Sequence, residues 1–314
     1  MANIRELDKR RKSIRNIRKI TRTMELIATA RFKKAMDRAS AANDYTQRIT
    51  AIVRDLASAG LEVTHPLLAE RPEVKSSTIL MLTSNRGLCG GYNGSVIRAA
   101  VLRRNELSAS GDAFRLEISG KRGIAAMKFR NVTIDQMYTN FEDQPAFEEV
   151  AKIADRLMDD FISGRMDRLD VAYTRFVSVS KQVPTVATLL PFSTIDAEEA
   201  AGAGDAQKVV AQKVAGSDSA GSDPTGANRD YEFLPSAESI LEEVVPASFR
   251  VKLFKCFLDA AVSEQIARMV AMKSATENAG DIIKQLSMTF NRARQSKITQ
   301  EIMEIIGGVE ALEG

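Results

Sequence analysis

The stretch FRVKLFKCFLDAAVSEQIARMVAMKSATENAGDIIKQLSMTFNRARQSKITQEIMEIIGGVEALEG, Phe249 to Gly314, decides the fold, because it reads as one unbroken helix of unusual length. No proline follows Pro246, and no glycine interrupts the run before Gly280. Apolar or near-neutral residues recur at alternating steps of four and three: Leu258, Val262, Met269, Met272, Thr276, Ala279, Ile283, Leu286, Phe290 and Ala293, with only Gln265 out of character. That spacing is a coiled-coil seam. At ~1.5 Å per residue the segment would extend roughly 90 to 100 Å, too long to fold into a small domain. A helix of this kind needs a partner helix.

The partner is sought at the other end of the chain, where neither Gly nor Pro occurs before Gly60. Steps of seven from Leu7 give Ile14, Thr21, Ala28, Ala35, Ala42, Ile49 and Leu56, a column with no charge. A second column, Ile17, Met24, Arg31, Arg38, Tyr45 and Ile52, fits at its ends and poorly in the middle. The two termini are therefore expected to pair as one antiparallel object, residues 1–60 against residues 237–314. Neither seam could be buried alone.

All eight prolines lie between Pro66 and Pro246, so the middle of the chain differs from both ends. Ser77 to Thr83 (STILMLT) predicts a buried strand, since apolar and β-branched residues run without alternation. Helices are expected near 96–107, 124–129 and 147–162, with strands near 114–119, 132–137 and 169–179. Alternating strands and helices give an α/β domain over 75–195, Rossmann-like, with a mostly parallel sheet. Residues 197–230 read as a flexible insertion: nine Ala, five Gly and three Ser fall between Ala197 and Ala227, a composition with little to bury. A short helical piece near 206–214 is conceivable within it.

The glycine run SNRGLCGGYNGS, Ser84 to Ser95, sits between strand and helix, where backbone amides can receive phosphate. Its spacing, Gly87, Gly90, Gly91 and Gly94, matches neither GxGxxG nor GxxxxGK[ST], and no lysine follows to meet a phosphate. A structural turn packing on the long helices is the expected role. Gly120, Lys121, Arg122 and Gly123 form a second place that could meet an anion, with a solvated turn as the plainer reading.

Catalytic equipment is scarce. A single histidine, His65, stands beside a proline, which leaves little for general base catalysis. Glu148 with Glu149, and Asp159 with Asp160, are adjacent on helices and so point in different directions. Cys89 and Cys256 are far apart without a CxxC, and nothing else resembles a metal-ligand cluster. No cofactor or metal is expected, no catalytic site, and no membrane span, because no apolar run approaches the needed length. The formal net charge is only +3, yet Met1 to Arg38 carries thirteen Lys or Arg against four acids. That end should seek an acidic surface. A basic coiled-coil nucleic-acid-binding or scaffold protein is the alternative such a charge permits, although it would not need an α/β middle.

Three blocks together resemble one family. IRKITRTMELIATARFKKA (Ile17 to Ala35), SNRGLCGGYN (Ser84 to Asn93) and SEQIARMVAMKSATENAGDIIKQLSMTFNRARQSKITQEIMEIIGG (Ser263 to Gly308) are similar, in order and over essentially the whole chain, to the γ subunit family of F-type ATP synthase. The resemblance implies a rotor shaft: a terminal coiled coil inside an alpha3beta3 ATPase ring, with the α/β domain below, against the epsilon subunit and the membrane-embedded c-ring. Ion flow would turn the shaft and drive the β subunits through binding, synthesis and release of ATP, at the cytoplasmic face of a bacterial inner membrane. It also implies that Arg294, Gln295 and Thr299 contact the β-subunit loops as a catch, and that Met24 packs in the lower collar. The tip, Ile302, Ile305, Ile306 and Val309, would turn in an apolar bearing. Two departures stand out. Gly307 and Gly308 replace the usual Gly-Ala or Ser-Gly, and the 197–230 insertion is longer than expected.

Overall fold

The computed structural model describes residues 4–58, 65–69, 71, 73–141, 144–192 and 237–313, with the side chains of 42–58, 237–241 and 310–313 left aside. The expected insertion over 197–230 and its helical piece near 206–214 lie outside the described residues, and the seam positions Ala42, Ile49 and Leu56 and the second-column Tyr45 and Ile52 are among those whose side chains are left aside. In chain order the elements are α1 (Ile4–Ser58), β1 (Ser76–Leu82), α2 (Tyr92–Ser110), β2 (Ala113–Ser119), α3 (Lys121–Phe129), β3 (Gln136–Tyr138), α4 (Phe147–Ile162), β4 (Arg168–Ser178), β5 (Lys181–Leu190) and α5 (Ala237–Glu313). Two compact units result. One comprises 1–31, 88–90 and 266–314, and the other 32–87 and 91–265.

The larger unit is built on a five-stranded sheet in the order β3-β2-β1-β4-β5. β1, β2, β3 and β4 are mutually parallel, and β5 returns antiparallel along β4. β1 is buried at six of its seven positions, which explains its continuous apolar run: a central parallel strand is covered on both faces. Ile79, Met81 and Ile118 pack with Val96, Ile97, Ile124 and Met127, so α2 and α3 share one face. Leu80, Leu82, Leu169 and Val171 meet Val150, Ile153, Leu157 and Phe161 of α4, together with Val245, Phe249 and Leu253 of α5. The chain thus winds outward through β2 and β3 under one layer of helices. It then crosses back through α4 on the other face to enter β4 beside β1, the order of a doubly wound half-sheet.

Charged side chains inside this unit are paired, as burial requires. Asp170, fully buried, accepts from Arg103 Nε at 2.6 Å, Arg168 Nε at 3.0 Å and the Thr188 hydroxyl at 2.7 Å. On the other face Arg156 donates to Glu117 at 2.6 Å and to the Tyr138 hydroxyl at 2.7 Å, and Tyr138 donates to Glu117 at 2.9 Å. Burial, and then the Glu117 charge, push the Tyr138 phenol well above its ordinary value. This network anchors a third strand of only three residues.

The sequence reading differs from the structure in identifiable places. Expected over 132–137, the third strand is confined to Gln136–Tyr138; Val132 and Ile134 instead pack on the core from the preceding loop. β5 was not foreseen, because Pro184 within KQVPTVATLL argues against a strand unless it lies at an edge, and an edge is where β5 sits. The long C-terminal helix begins at Ala237 and carries Pro246 inside it, so it starts a few turns before Phe249. Gln265, out of character in the seam, is fully buried.

Candidate functional site: the two-helix rod and its tip

The smaller unit joins the first half of α1 to the last part of α5. Three contacts fix how the helices run. Thr276 Oγ1 donates to Thr21 Oγ1 at 2.9 Å, the Arg18 guanidinium lies against Gly280, and Arg11 stacks on the Phe290 ring at 4.5 Å from its centroid. As residue numbers rise on α5 they fall on α1, so the pairing is antiparallel. Burial follows the seams: Leu7, Ala28, Met272, Thr276 and Ala279 are buried, and Ile14, Thr21, Ile283, Leu286, Phe290 and Ala293 are half-buried between exposed neighbours.

The second α1 column needs correction. Ile17 is 47% exposed, and Arg38, in the other unit, is exposed as well. Met24 and Arg31 of the expected set are half-buried, and so are Ile4, Arg11 and Glu25, one position round from it. Arg11 is tolerated there because its charge faces the Phe290 ring and an Asp8 carboxylate at 2.6 Å.

Displacing Ile17 from the seam leaves a flank that the sequence reading missed. Ile17, Ile20, Met24 and Ile27 recur at steps of three, four and three, and the three isoleucines are 47 to 59% exposed. That spacing was the available signal. Ile20 and Ile27 precede the seam residues Thr21 and Ala28 by one position, while Arg15 and Arg22 follow Ile14 and Thr21 by one. The two sets therefore lie about 100° to either side of the seam. On the cationic side, Lys12, Arg15, Arg18, Lys19 and Arg22 line an open groove of about 1640 Å³ with Thr276, Glu277, Asp281 and Lys284. One flank is apolar and the other cationic.

The tip follows from the register. Contact pairs whose numbers sum to 297 (Thr21 with Thr276) and 301 (Arg11 with Phe290) place Ile4, where described α1 begins, level with about 293–297 of α5. Arg294 and Gln295 stand at that level, and Thr299 one turn beyond; all three are exposed. Met24 is half-buried and sits at a lower level of the rod. Past the start of described α1, Ile298, Ile302, Ile305, Ile306 and Val309 are each 48 to 67% exposed. The structure therefore separates an apolar end from a polar level just below it, and keeps Met24 apart from both. Gly307 and Gly308 have open space around them.

Glycine-loop residues Leu88 to Gly90 belong to this unit. Gly90, at φ +56°, stands where a Cβ would lie 3.8 Å from Ala271 Cβ and 3.9 Å from the Ala267 oxygen, so the loop does pack on a long helix. Its flanks serve the larger unit as a cap for α3. Lys121 N–H donates to Asn85 Oδ1 at 3.0 Å, Arg122 N–H to the Ser84 oxygen at 3.1 Å and Gly123 N–H to Thr83 Oγ1 at 3.0 Å. Asn85 also donates to the Phe141 carbonyl at 2.6 Å. These amides belong to Gly120 to Gly123, the second place that could meet an anion, and they are occupied by protein groups.

Among the described residues no group of three His, Cys, Asp or Glu could hold a metal, and no helix is long and apolar enough to cross a membrane. Cys89 and Cys256 are both buried.

With this geometry in hand, comparison with known proteins is decisive. A family model described as ATP synthase matches residues 3–312. An ATP synthase gamma chain from Rhodopirellula baltica is 60% identical, with all of both chains covered. This chain belongs to the ATP synthase gamma chain family. A more distant gamma chain, from Saccharopolyspora erythraea, is 38% identical over 99% of this chain and 98% of its own. The gamma-chain fold is likewise found in solved structures. A chain of the Euglena gracilis mitochondrial ATP synthase, in an OSCP/F1/c-ring structure, superposes with TM-score 0.64 at 20% identity, covering 98% of this chain and 94% of that one. A central stalk and c-ring structure from Tetrahymena thermophila gives TM-score 0.56 at 19% identity, with 82% and 99% covered. The nucleic-acid or scaffold alternative finds no support.

Proposed function

We propose that this gamma chain is the central rotor shaft of an F-type ATP synthase, coupling ion translocation through a membrane c-ring to conformational cycling of catalytic beta subunits. The observation that carries the reading is the antiparallel rod of α1 and α5, with its seam buried and its end left apolar and exposed. Pairing supplies stiffness along the axis. The tip, Ile302, Ile305, Ile306 and Val309, offers non-directional contact to a surrounding alpha3beta3 ring, so no single angle is strongly preferred. Below it Arg294, Gln295 and Thr299 hold exposed donors and acceptors for a directional catch on beta-subunit loops, and Met24 on the apolar flank meets the collar. The cationic flank suits acidic groups on the same ring. On this reading the chain is a non-catalytic subunit, peripheral on the cytoplasmic face of a bacterial membrane, with the epsilon subunit and c-ring as its other partners.

Purification of the tagged chain from its host tests this. Alpha, beta, epsilon and c subunits should co-purify in fixed stoichiometry with ATPase activity. Recovery of nucleic acid in their place would overturn it.

A further inference from the structure

His65 is the chain's single histidine, and it opens the run His65, Pro66, Leu67, Leu68. Proline at the second position of a turn presets its φ, and the Leu68 N–H closes the turn on the His65 carbonyl at 2.9 Å. The imidazole then acts as an Asn or Asp side chain does in an Asx-turn. Its Nδ1 accepts the N–H two residues on, that of Leu67, at 3.1 Å. His65 is buried, so water does not readily replace this bond.

Leu67 carries the turn into the core. Its side chain is fully buried in the cluster that includes Phe161 of α4 and Val245, Phe249 and Leu253 of α5. Its carbonyl accepts the N–H of Phe192, two residues past the end of β5, at 3.0 Å. The buried Phe192 ring in turn receives the Lys252 ammonium of α5, 4.6 Å from its centroid. Leu67 is thus held at both of its backbone groups, by the imidazole at one and by the exit of β5 at the other.

We propose that the His65 turn is a proton-released latch: it holds the exit of β5 and the root of α5 to the sheet core while the imidazole is neutral, and opens when the imidazole is protonated. A neutral ring offers one acceptor nitrogen, whereas the imidazolium has two donors and no acceptor. Two donors then face each other, and the buried Leu67 N–H is left unpaired unless the turn opens. Among the described residues Glu242 of α5 acts on the ring and favours the cation, but burial outweighs it and keeps the ring neutral at neutral pH. Other charges on the elements around this core are engaged: Lys252 with Phe192, Arg71 with the Phe161 carbonyl at 2.9 Å, and Asp160 of α4 with Arg156 and Arg165. The Leu189 to Phe192 end of β5 brings no titratable side chain. An open turn takes up a proton near the ordinary 6.5 and the closed turn only below it. Between those two values opening rises by up to about tenfold per pH unit.

The latch lies within one chain, so hydrogen exchange on the full-length chain tests it without partner subunits. After correction for intrinsic rates, the Leu67, Leu68 and Phe192 amides should exchange several-fold faster at about pH 5.5 than at about pH 7.5, while β1 and β2 do not change. His65→Asn keeps an acceptor for the Leu67 N–H but does not titrate, so it should hold the protection at both pH values. An equal rise across the sheet, or the same pH dependence in His65→Asn, overturns the latch. The parent chain supplies a second reading that needs no variant, because ¹⁵N-labelled histidine gives one imidazole spectrum. Nδ1 should be the unprotonated nitrogen at neutral pH, and its protonation should coincide with the rise in exchange at Leu67. A protonated Nδ1 at neutral pH, or protonation that leaves Leu67 exchange unmoved, overturns the proposal equally.

Discussion

Removing the Asp170 carboxylate should loosen the sheet far more than its distance from any exposed surface suggests. In Asp170→Ala the fully buried acceptor of Arg103, Arg168 and Thr188 disappears. Breaking a buried pair by deleting one partner costs about 3 to 5 kcal/mol, because the other charge stays desolvated. The lower end applies here. Arg103 is 19% exposed and keeps Glu106 at 2.8 Å, and Arg168 is 33% exposed and keeps the Thr188 hydroxyl at 2.7 Å. About 3 kcal/mol corresponds to roughly a 100-fold rise in the open population, at about 1.4 kcal/mol per tenfold. Hydrogen exchange followed by mass spectrometry on the full-length chain reads this directly, in peptides from β4, β5 and α2. Adding Arg103→Ala should recover part of the loss, since it removes the stranded charge. Unchanged protection in β4 and β5, or additive losses in the double variant, would refute the reasoning.

Other perturbations probe other levels. Gly120→Ala forces a side chain into the Thr83 carbonyl at a φ of +104°; strain of this kind costs about 1 to 3 kcal/mol before the clash is counted, and exchange should rise first in α3 and the 84–87 segment. Alanine at Gln295 and Thr299 together should weaken coupling of ATP synthesis to ion flow in energised vesicles, through loss of bonds of about 0.5 to 1.5 kcal/mol each, whereas Ser287→Ala should not. Equal coupling in both variants would remove the catch. His65 is buried and its Nδ1 accepts the Leu67 N–H at 3.1 Å; burial lowers its pKa below the ordinary 6.5, with Glu242 opposing more weakly. Because the folded value is depressed, the stability contributed by neutral His65 is complete above about 6.5 and is lost as pH falls through the folded value. The single imidazole resonance should therefore titrate below 6.5, and a midpoint at or above that figure would contradict the packing.

Periodicity made the rod and most of the sheet legible. The column Leu7, Ile14, Thr21 and Ala28 and the α5 seam were readable because burial of a paired helix imposes a heptad. β1 was readable because a central parallel strand is apolar throughout. α4, Phe147–Ile162, matched the expected 147–162. What failed did so where tertiary context overrode local pattern. Ile17 matches a seam position in type, yet it lies on a flank left exposed among the described residues. β5 was hidden by Pro184, which an edge strand accommodates. The roles proposed for Arg294, Gln295, Thr299 and Met24 came from family resemblance, since a contact with another chain leaves no periodic trace on a helix. Likewise no pattern in the sequence signals that Asn85 caps α3 or that Arg122 rests on Gly87, because those contacts join residues about 35 positions apart.

The central claim is that the paired helices turn as a shaft. Rotation of single complexes tests it most directly: the ring is fixed to a surface, and a bead is attached to a cysteine introduced at exposed Lys152 of the larger unit. The account predicts stepwise rotation in one direction on ATP addition, halted by a disulfide engineered between the apolar tip and the ring and restored on reduction. A complex that hydrolyses ATP at the parent rate while the bead stays still, or that keeps turning with the tip crosslinked to rigid ring residues, would contradict it.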